Sequence, residues 1–192
     1  MLPVLRAISV VNSAILGIGR QIAWMALGLM VVVILLQVVF RYVFNNAQAW
    51  PDEAARFLML WMTGLIAPSA FRWGGFVAID MLPLALPRVA GLLLTLVLLL
   101  LSLSVLAMAL QHGYNHTMGF GGNFDSSSLK LPFDLIGFES MKVKLRYMYG
   151  SLLLGMILLL SVNIELILRT AASLISPDTN LPPTDAPTDL QR

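Results

Sequence analysis

The chain has 192 residues, 58% of them hydrophobic and 11% charged, with a formal net charge of +2 and no cysteine. A mean hydropathy of +0.85 excludes an ordinary soluble domain, and so small a net charge leaves no footprint for nucleic acid. The missing cysteines exclude thiolate catalysis, thiolate metal sites and disulfide exchange.

The first segment, 1–20, does not read as a cleaved signal. Arg6 is basic, but the apolar run Ile8–Ile18 is broken by Asn12 and Ser13, and no small-x-small site precedes a polar start. Val4, Ala7, Ile8, Val11 and Ile15 recur at helical spacing, which predicts an amphipathic lead-in helix at the membrane interface. It either continues into the first span or hinges at Gly17–Gly19. Crossing hydrocarbon takes roughly 20 apolar residues, and the first span is expected at about 21–42. Gln37 is the only clearly polar member of Ile22–Phe40, Trp24 and Tyr42 suit the two interfaces, and Arg41 suits the negative end of the helix dipole.

Arg41–Arg56 is a polar island between two apolar runs and sits at a membrane surface. The second span, about 52–72, opens at Pro51, a favourable first helical residue. Asp52 and Glu53 complement the dipole of its first turn, and Asp52 stands four residues before Arg56. These charges read equally as a helix-start signal and as a docking point for a partner helix. Pro68 is expected to kink the helix unless neighbours satisfy the freed carbonyl. After it, Arg72 and Asp80 are placed to pair across Gly74 and Gly75, or to stand as a solvated loop pair. Pro83 and Pro87 bracket a short piece too small to span, read as interfacial.

The third span, about 89–111, is leucine-rich, with only hydroxyls (Thr95, Ser102, Ser104) that can bond their own backbone. His112 and His116 would share a helix face if the helix continued past Gly113, but no further His or Cys completes a metal site. Neither a metal nor another cofactor is expected. Gly113–Arg146 reads as a polar connection holding a glycine turn, a surface-lying or re-entrant piece around Leu131-Pro132-Phe133 and Phe138, and a basic collar of Lys142, Lys144 and Arg146. The fourth span is expected at about 147–168. Gly150 and Gly155 allow close helix approach there, and Glu165 near its far end is expected to reach headgroups or Arg169. From Ser176 to Arg192 the composition turns to Pro, Thr, Asp and Asn, and 171–192 is expected to be a disordered tail. The fold class is thus an all-α membrane protein: a lead-in (1–20), a domain of four transmembrane helices (21–170) with short interfacial segments, and the tail. Four spans place both ends on one side, and Lys/Arg counts on the two sides tie, so charge alone does not orient the chain.

The chain carries no phosphate-binding glycine loop and no Ser/His/Asp set plausible at membrane depth. It also shows no acidic residue deep in a span and no broken-helix repeat that would build a midplane ion site. Every carboxylate is expected at a helix end, in a loop or in the tail. An accessory or scaffold subunit suits this pattern better than an enzyme or a self-sufficient transporter.

Phe40-Arg41-Tyr42-Val43-Phe44-Asn45 closing the first span, Trp50 and Glu53 opening the second, and Arg72-x-Gly-Gly with Ile79-Asp80 and the Leu-Pro that follows carry a resemblance over about 21–168. On these residues the chain resembles the small membrane subunit, DctQ type, of tripartite ATP-independent periplasmic (TRAP) transporters. Where the family often has a histidine in the glycine turn, this chain has Phe76. The resemblance implies a sodium-coupled importer in the bacterial inner membrane, in which a periplasmic receptor captures an organic acid. A large membrane subunit moves it, and the small subunit packs beside that subunit as scaffold, among membrane lipids. It also implies cytoplasmic termini. Arg41, Asn45, Trp50, Asp52, Glu53 and Arg56 on one face, and Arg72 and Asp80 on the other, are then expected to secure helix ends or the contact with the large subunit. Two readings from other classes stay open: a membrane-anchor subunit of a respiratory complex, supported only by His112 and His116, and a stand-alone small transporter.

Overall fold

The computed structural model describes residues 2–46, 49–74, 86–119, 123–131 and 141–175. Four helices dominate: α1 (Leu2–Tyr42), α2 (Trp50–Arg72), α3 (Arg88–Met118) and α4 (Leu145–Ile175). All four are long and apolar enough to cross a membrane, so the chain is an all-α membrane protein of four candidate spans.

The lead-in and the first span are one unbroken helix of 41 residues. Gly17 and Gly19 do not interrupt it, because α2 supports the helix there: a Cβ at Gly19 would meet Leu65 at ordinary contact distance, 3.6 Å. The inward face of α1, Leu5, Ser9, Asn12 and Leu16, is buried at steps of four and three, while Val4, Ala7, Val11 and Ile15 of the expected amphipathic pattern are exposed. At the other end Asn45 adopts φ 50°, a left-handed conformation that asparagine tolerates better than most residues. This turn lets the Asn46 N–H reach back to the Phe40 carbonyl at 3.0 Å, closing the end of α1.

Helix α2 opens with Pro51 in its first turn and Asp52 and Glu53 beside it, and it continues through Pro68 to Arg72. Proline removes the donor for the carbonyl four residues back, that of Gly64. That carbonyl faces Gly155 of α4, where an added Cβ would stand 2.8 Å from it; a Cβ on Gly64 would stand 2.5 Å from the Ser151 carbonyl. The two backbones therefore touch, as glycines permit between membrane helices. Gly150, the other glycine expected to serve this purpose, faces open space.

Helix α3 runs past Gly113 to Met118, so the polar connection starts at Gly119 and His112 and His116 are helical. It packs antiparallel on α4. Gly113 lies against Met156 and Leu153, and the His116 ring meets Tyr149 edge-on at 4.6 Å. The connection carries an antiparallel hairpin, β1 (Asp125–Leu131) and β2 (Met141–Lys144), which was not expected; its second strand holds Lys142 and Lys144 of the basic collar. It is tied to the start of α4 by Leu145 N–H to Phe124 O (3.0 Å) and Arg146 Nη2 to Asn123 Oδ1 (2.9 Å). Leu131 of the expected surface piece ends β1, and the first five residues of the expected tail (171–192) are helical because α4 runs on to Ile175; the rest of the surface piece (132–138), residues 83–85 of the interfacial piece and the tail from 176 lie outside the described residues. Within the bundle α4 is central: 33% of its most apolar stretch is buried, against 11% in α1 and in α3.

Candidate functional site

Three helices bring their polar residues to one point at the end of the bundle. Helix α1 contributes Ser9, Asn12 and Ser13, α2 contributes its last residue, Arg72, and α4 contributes Ser161, Glu165 and Arg169. The α4 residues are spaced by four, so they share a face. The antiparallel course of α1 against α2 sets its first turns beside the end of α2. The parallel course of α2 and α4, fixed by the Gly64–Gly155 contact, carries Arg72 to the level of Glu165.

Glu165 is fully buried and Arg72 is 4% exposed. Glu165 Oε1 accepts from Arg72 Nη2 at 2.8 Å and from Arg169 Nε and Nη2 at 2.9 and 2.8 Å. Its Oε2 accepts from Asn12 Nδ2 at 2.8 Å. Asn12 is itself oriented, because its Oδ1 accepts from the Ser161 hydroxyl at 2.7 Å. Arg72 Nη1 donates to Ser13 Oγ at 2.7 Å, and its Nη2 donates to Ser9 Oγ at 3.0 Å and to the Ser9 carbonyl at 3.2 Å. Arg169 Nη2 also donates to Ser9 Oγ, at 2.9 Å. Every oxygen of the carboxylate is thus engaged by a charge-assisted or amide donor, the condition under which a charge tolerates removal from water. One residue beyond Arg72, the Trp73 ring lies under the Arg20 guanidinium at 5.0 Å, a second link between α1 and the end of α2.

The residues expected from sequence separate into two groups. Arg41, Asn45, Trp50, Asp52, Glu53 and Arg56 lie around the facing ends of α1 and α2. Arg41, Asn45, Trp50, Asp52 and Arg56 are exposed there and Glu53 is half-buried, while the Arg41 guanidinium lies 6.0 Å over the Tyr42 ring. Arg72 stands at the opposite end of α2, about 33 Å away at 1.5 Å per residue. Asp80, its expected partner, lies outside the described residues, and the acid that Arg72 meets is Glu165. That acid was expected at a helix end, whereas α4 continues ten residues beyond it to Ile175; of the two destinations expected for it, it takes Arg169 and not the headgroups.

Sequence reasoning passed over Ser9, Asn12, Ser13 and Ser161 as site residues. The available signal was the Ser-x-x-x-Glu-x-x-x-Arg spacing of α4 together with the Asn12-Ser13 interruption of an apolar run. Among the described residues no group of three His, Cys, Asp or Glu side chains is placed to hold a metal ion. Chemically the cluster is a lock: a buried ion network that ties three helix segments.

The family model described as tripartite ATP-independent periplasmic transporters, DctQ component, matches residues 30–173. No curated protein matches the chain closely enough to be reported as a relative.

Proposed function

Because the chain belongs to the DctQ component family of tripartite ATP-independent periplasmic transporters, we propose that it is the scaffold subunit packing against the large membrane subunit of a sodium-coupled importer of organic acids that depends on a periplasmic receptor. The observation that carries the scaffold reading is the distribution of its chemistry. The buried ion cluster serves the bundle's own helices, while long apolar faces of α1 and α3 are left open. A chain that fixes its own shape and presents apolar surface is suited to widening a partner's stationary frame.

In this reading the protein lies in the bacterial inner membrane with both termini in the cytoplasm. The end of the bundle holding Arg72, Glu165 and Arg169 is then cytoplasmic. The Arg41–Arg56 island and the hairpin face the periplasm and the receptor. Arg41, Asn45, Trp50, Asp52, Glu53 and Arg56 secure helix ends or the subunit contact on that face, and Arg72 and Asp80 on the other. The same membership favours this reading over a respiratory anchor or a stand-alone transporter.

The test is to express the tagged chain with the membrane proteins encoded beside it and identify what is retained in mild detergent. A stoichiometric, large polytopic partner that supports receptor-dependent, sodium-driven uptake is the expected result. A haem-bearing partner, or a stable chain with no partner, would overturn the proposal. For the periplasmic-face residues, Glu53→Gln combined with Arg41→Ala should lower complex yield or uptake; unchanged values would remove them from that role.

A further inference from the structure

The outer side of α1 carries a second pattern that the bundle itself does not use. Val4, Ile8, Val11, Ile15, Ile18 and Ile22 follow one another at alternating steps of four and three, and the same steps continue through apolar residues to Val39. This is an unbroken heptad seam, the spacing by which one straight helix packs along another. It lies one residue, about 100° of helix rotation, from the inward face of Leu5, Ser9, Asn12 and Leu16. Ile8 is half-buried and the other members are open: Val4 is 57% exposed, Val11 54% and Ile18 63%. On its other flank stand Ala7, Ala14 and Gly28, all exposed and small enough for a neighbouring backbone to come close.

Lipid accounts for part of this seam but not for its length. From Val4 to Val39 it extends about 53 Å at 1.5 Å per residue, against a hydrocarbon core of about 30 Å. Even at a tilt of about 40°, the upper end of what membrane helices adopt, it would project about 40 Å along the bilayer normal. By contrast the open stripe of α3 ends where the helix turns polar at Gln111, after about 33 Å of apolar sequence from Val89. The first turns of α1 therefore hold branched apolar side chains beyond the reach of acyl chains, about a quarter-turn round the helix from the face that packs on their own bundle. The exposed area of the whole seam is on the order of 1,000 Å², comparable to the roughly 800 Å² that one partner gives to a stable interface.

We propose that this seam of α1 seats one long helix of the large membrane subunit. That helix carries branched and small apolar residues at the same 3.5-residue period, crosses α1 at a shallow angle of about 20°, and continues past the membrane on the side of the Arg72–Glu165 cluster. The assignment rests on the scaffold reading above and names the surface that performs it.

The experiment is site-specific photo-crosslinking in the intact, co-expressed complex. A benzophenone amino acid replaces one residue at a time, at Val11, Ile15 and Ile18 on the seam and at the exposed Leu101 and Val105 of α3 away from it. Adducts with the large subunit at the three seam positions, at least severalfold stronger than at Leu101 and Val105, are the expected result. Adducts weighing two copies of this chain would assign the seam to self-association, and no protein adduct at all would assign it to lipid or solvent; either overturns the proposal. A second measurement stands apart from the crosslinker's bulk: Ile15→Ala with Ile18→Ala should lower the large subunit retained severalfold, whereas Leu101→Ala with Val105→Ala on α3 should not. Equal retention for the two pairs would also overturn it. If the unsubstituted chain retains no large subunit, the scaffold reading itself has failed, an outcome distinct from failure of the seam.

Discussion

Replacing Glu165 by glutamine changes no volume and removes one charge from the centre of the cluster. The side chains of Arg72 and Glu165 are fully inaccessible and that of Arg169 is 12% exposed, so both guanidiniums are left facing a neutral amide with little water to compensate. The glutamine carbonyl can still accept at the Oε1 position, but its NH2 would stand where Oε2 now accepts from Asn12 at 2.8 Å. Asn12 is not free to turn over, because the Ser161 hydroxyl already occupies its carbonyl oxygen. Breaking a buried ion pair by removing one partner costs about 3–5 kcal/mol. For a chain of this size that corresponds to a fall in melting temperature of roughly 6–20 °C. The assay is thermal unfolding of the purified chain in mild detergent, followed by loss of the monodisperse species. The triple variant Arg72→Met, Glu165→Met, Arg169→Met removes all three charges together, and it should be distinctly more stable than Glu165→Gln, since an apolar set of similar size is often as good as a buried ion network. Melting of Glu165→Gln within about 2 °C of the parent, less than 1 kcal/mol on the same scale, would refute the lock.

Other outcomes follow from the same geometry. Gly155→Leu should drive α2 and α4 apart and cost about 1–3 kcal/mol or more by overpacking, read as lowered melting, while Gly150→Ala, which meets nothing within 4 Å, should leave melting unchanged or slightly raised. Asn163 is fully buried with neither amide atom bonded among the described residues; Asn163→Leu should therefore raise stability by about 1–3 kcal/mol, seen as a higher melting temperature. Asn45→Val, which forces a β-branched residue to a φ of 50°, should cost about 1–2 kcal/mol, whereas Asn45→Gly should be close to neutral; equal melting of the two would show that the turn relaxes without this conformation.

How much of this was legible in advance depends on whether a feature is local. Each span declares itself within its own 20 or so residues, because apolar length against bilayer thickness is a property of a contiguous run. Pro51 with Asp52 and Glu53 marks the start of α2 for the same reason. Where helices are supported by neighbours, local signals mislead. Gly113 reads as a break and Gly17–Gly19 as either a hinge or a continuation, yet both helices run on, since Leu65 packs beside Gly19 and Met156 beside Gly113. The hairpin escaped a reading tuned to apolar length, although Met141-Lys-Val-Lys144 alternates as a strand does.

Four contiguous apolar runs suffice to make this a four-helix membrane chain, and the Arg-Tyr-Val-Phe-Asn and Trp-x-x-Glu residues carry its family likeness. The tertiary structure decided which polar residue meets which. Arg72 finds Glu165 at 93 positions' remove and Ser9 at 63, and the Gly64–Gly155 contact sets the level at which they meet. In helices that are apolar nearly all round, hydrophobic periodicity cannot say which side a neighbour will cover. Only the packing of three backbones turns scattered Ser, Asn, Arg and Glu residues into one buried network, and in doing so leaves the other side of α1 open.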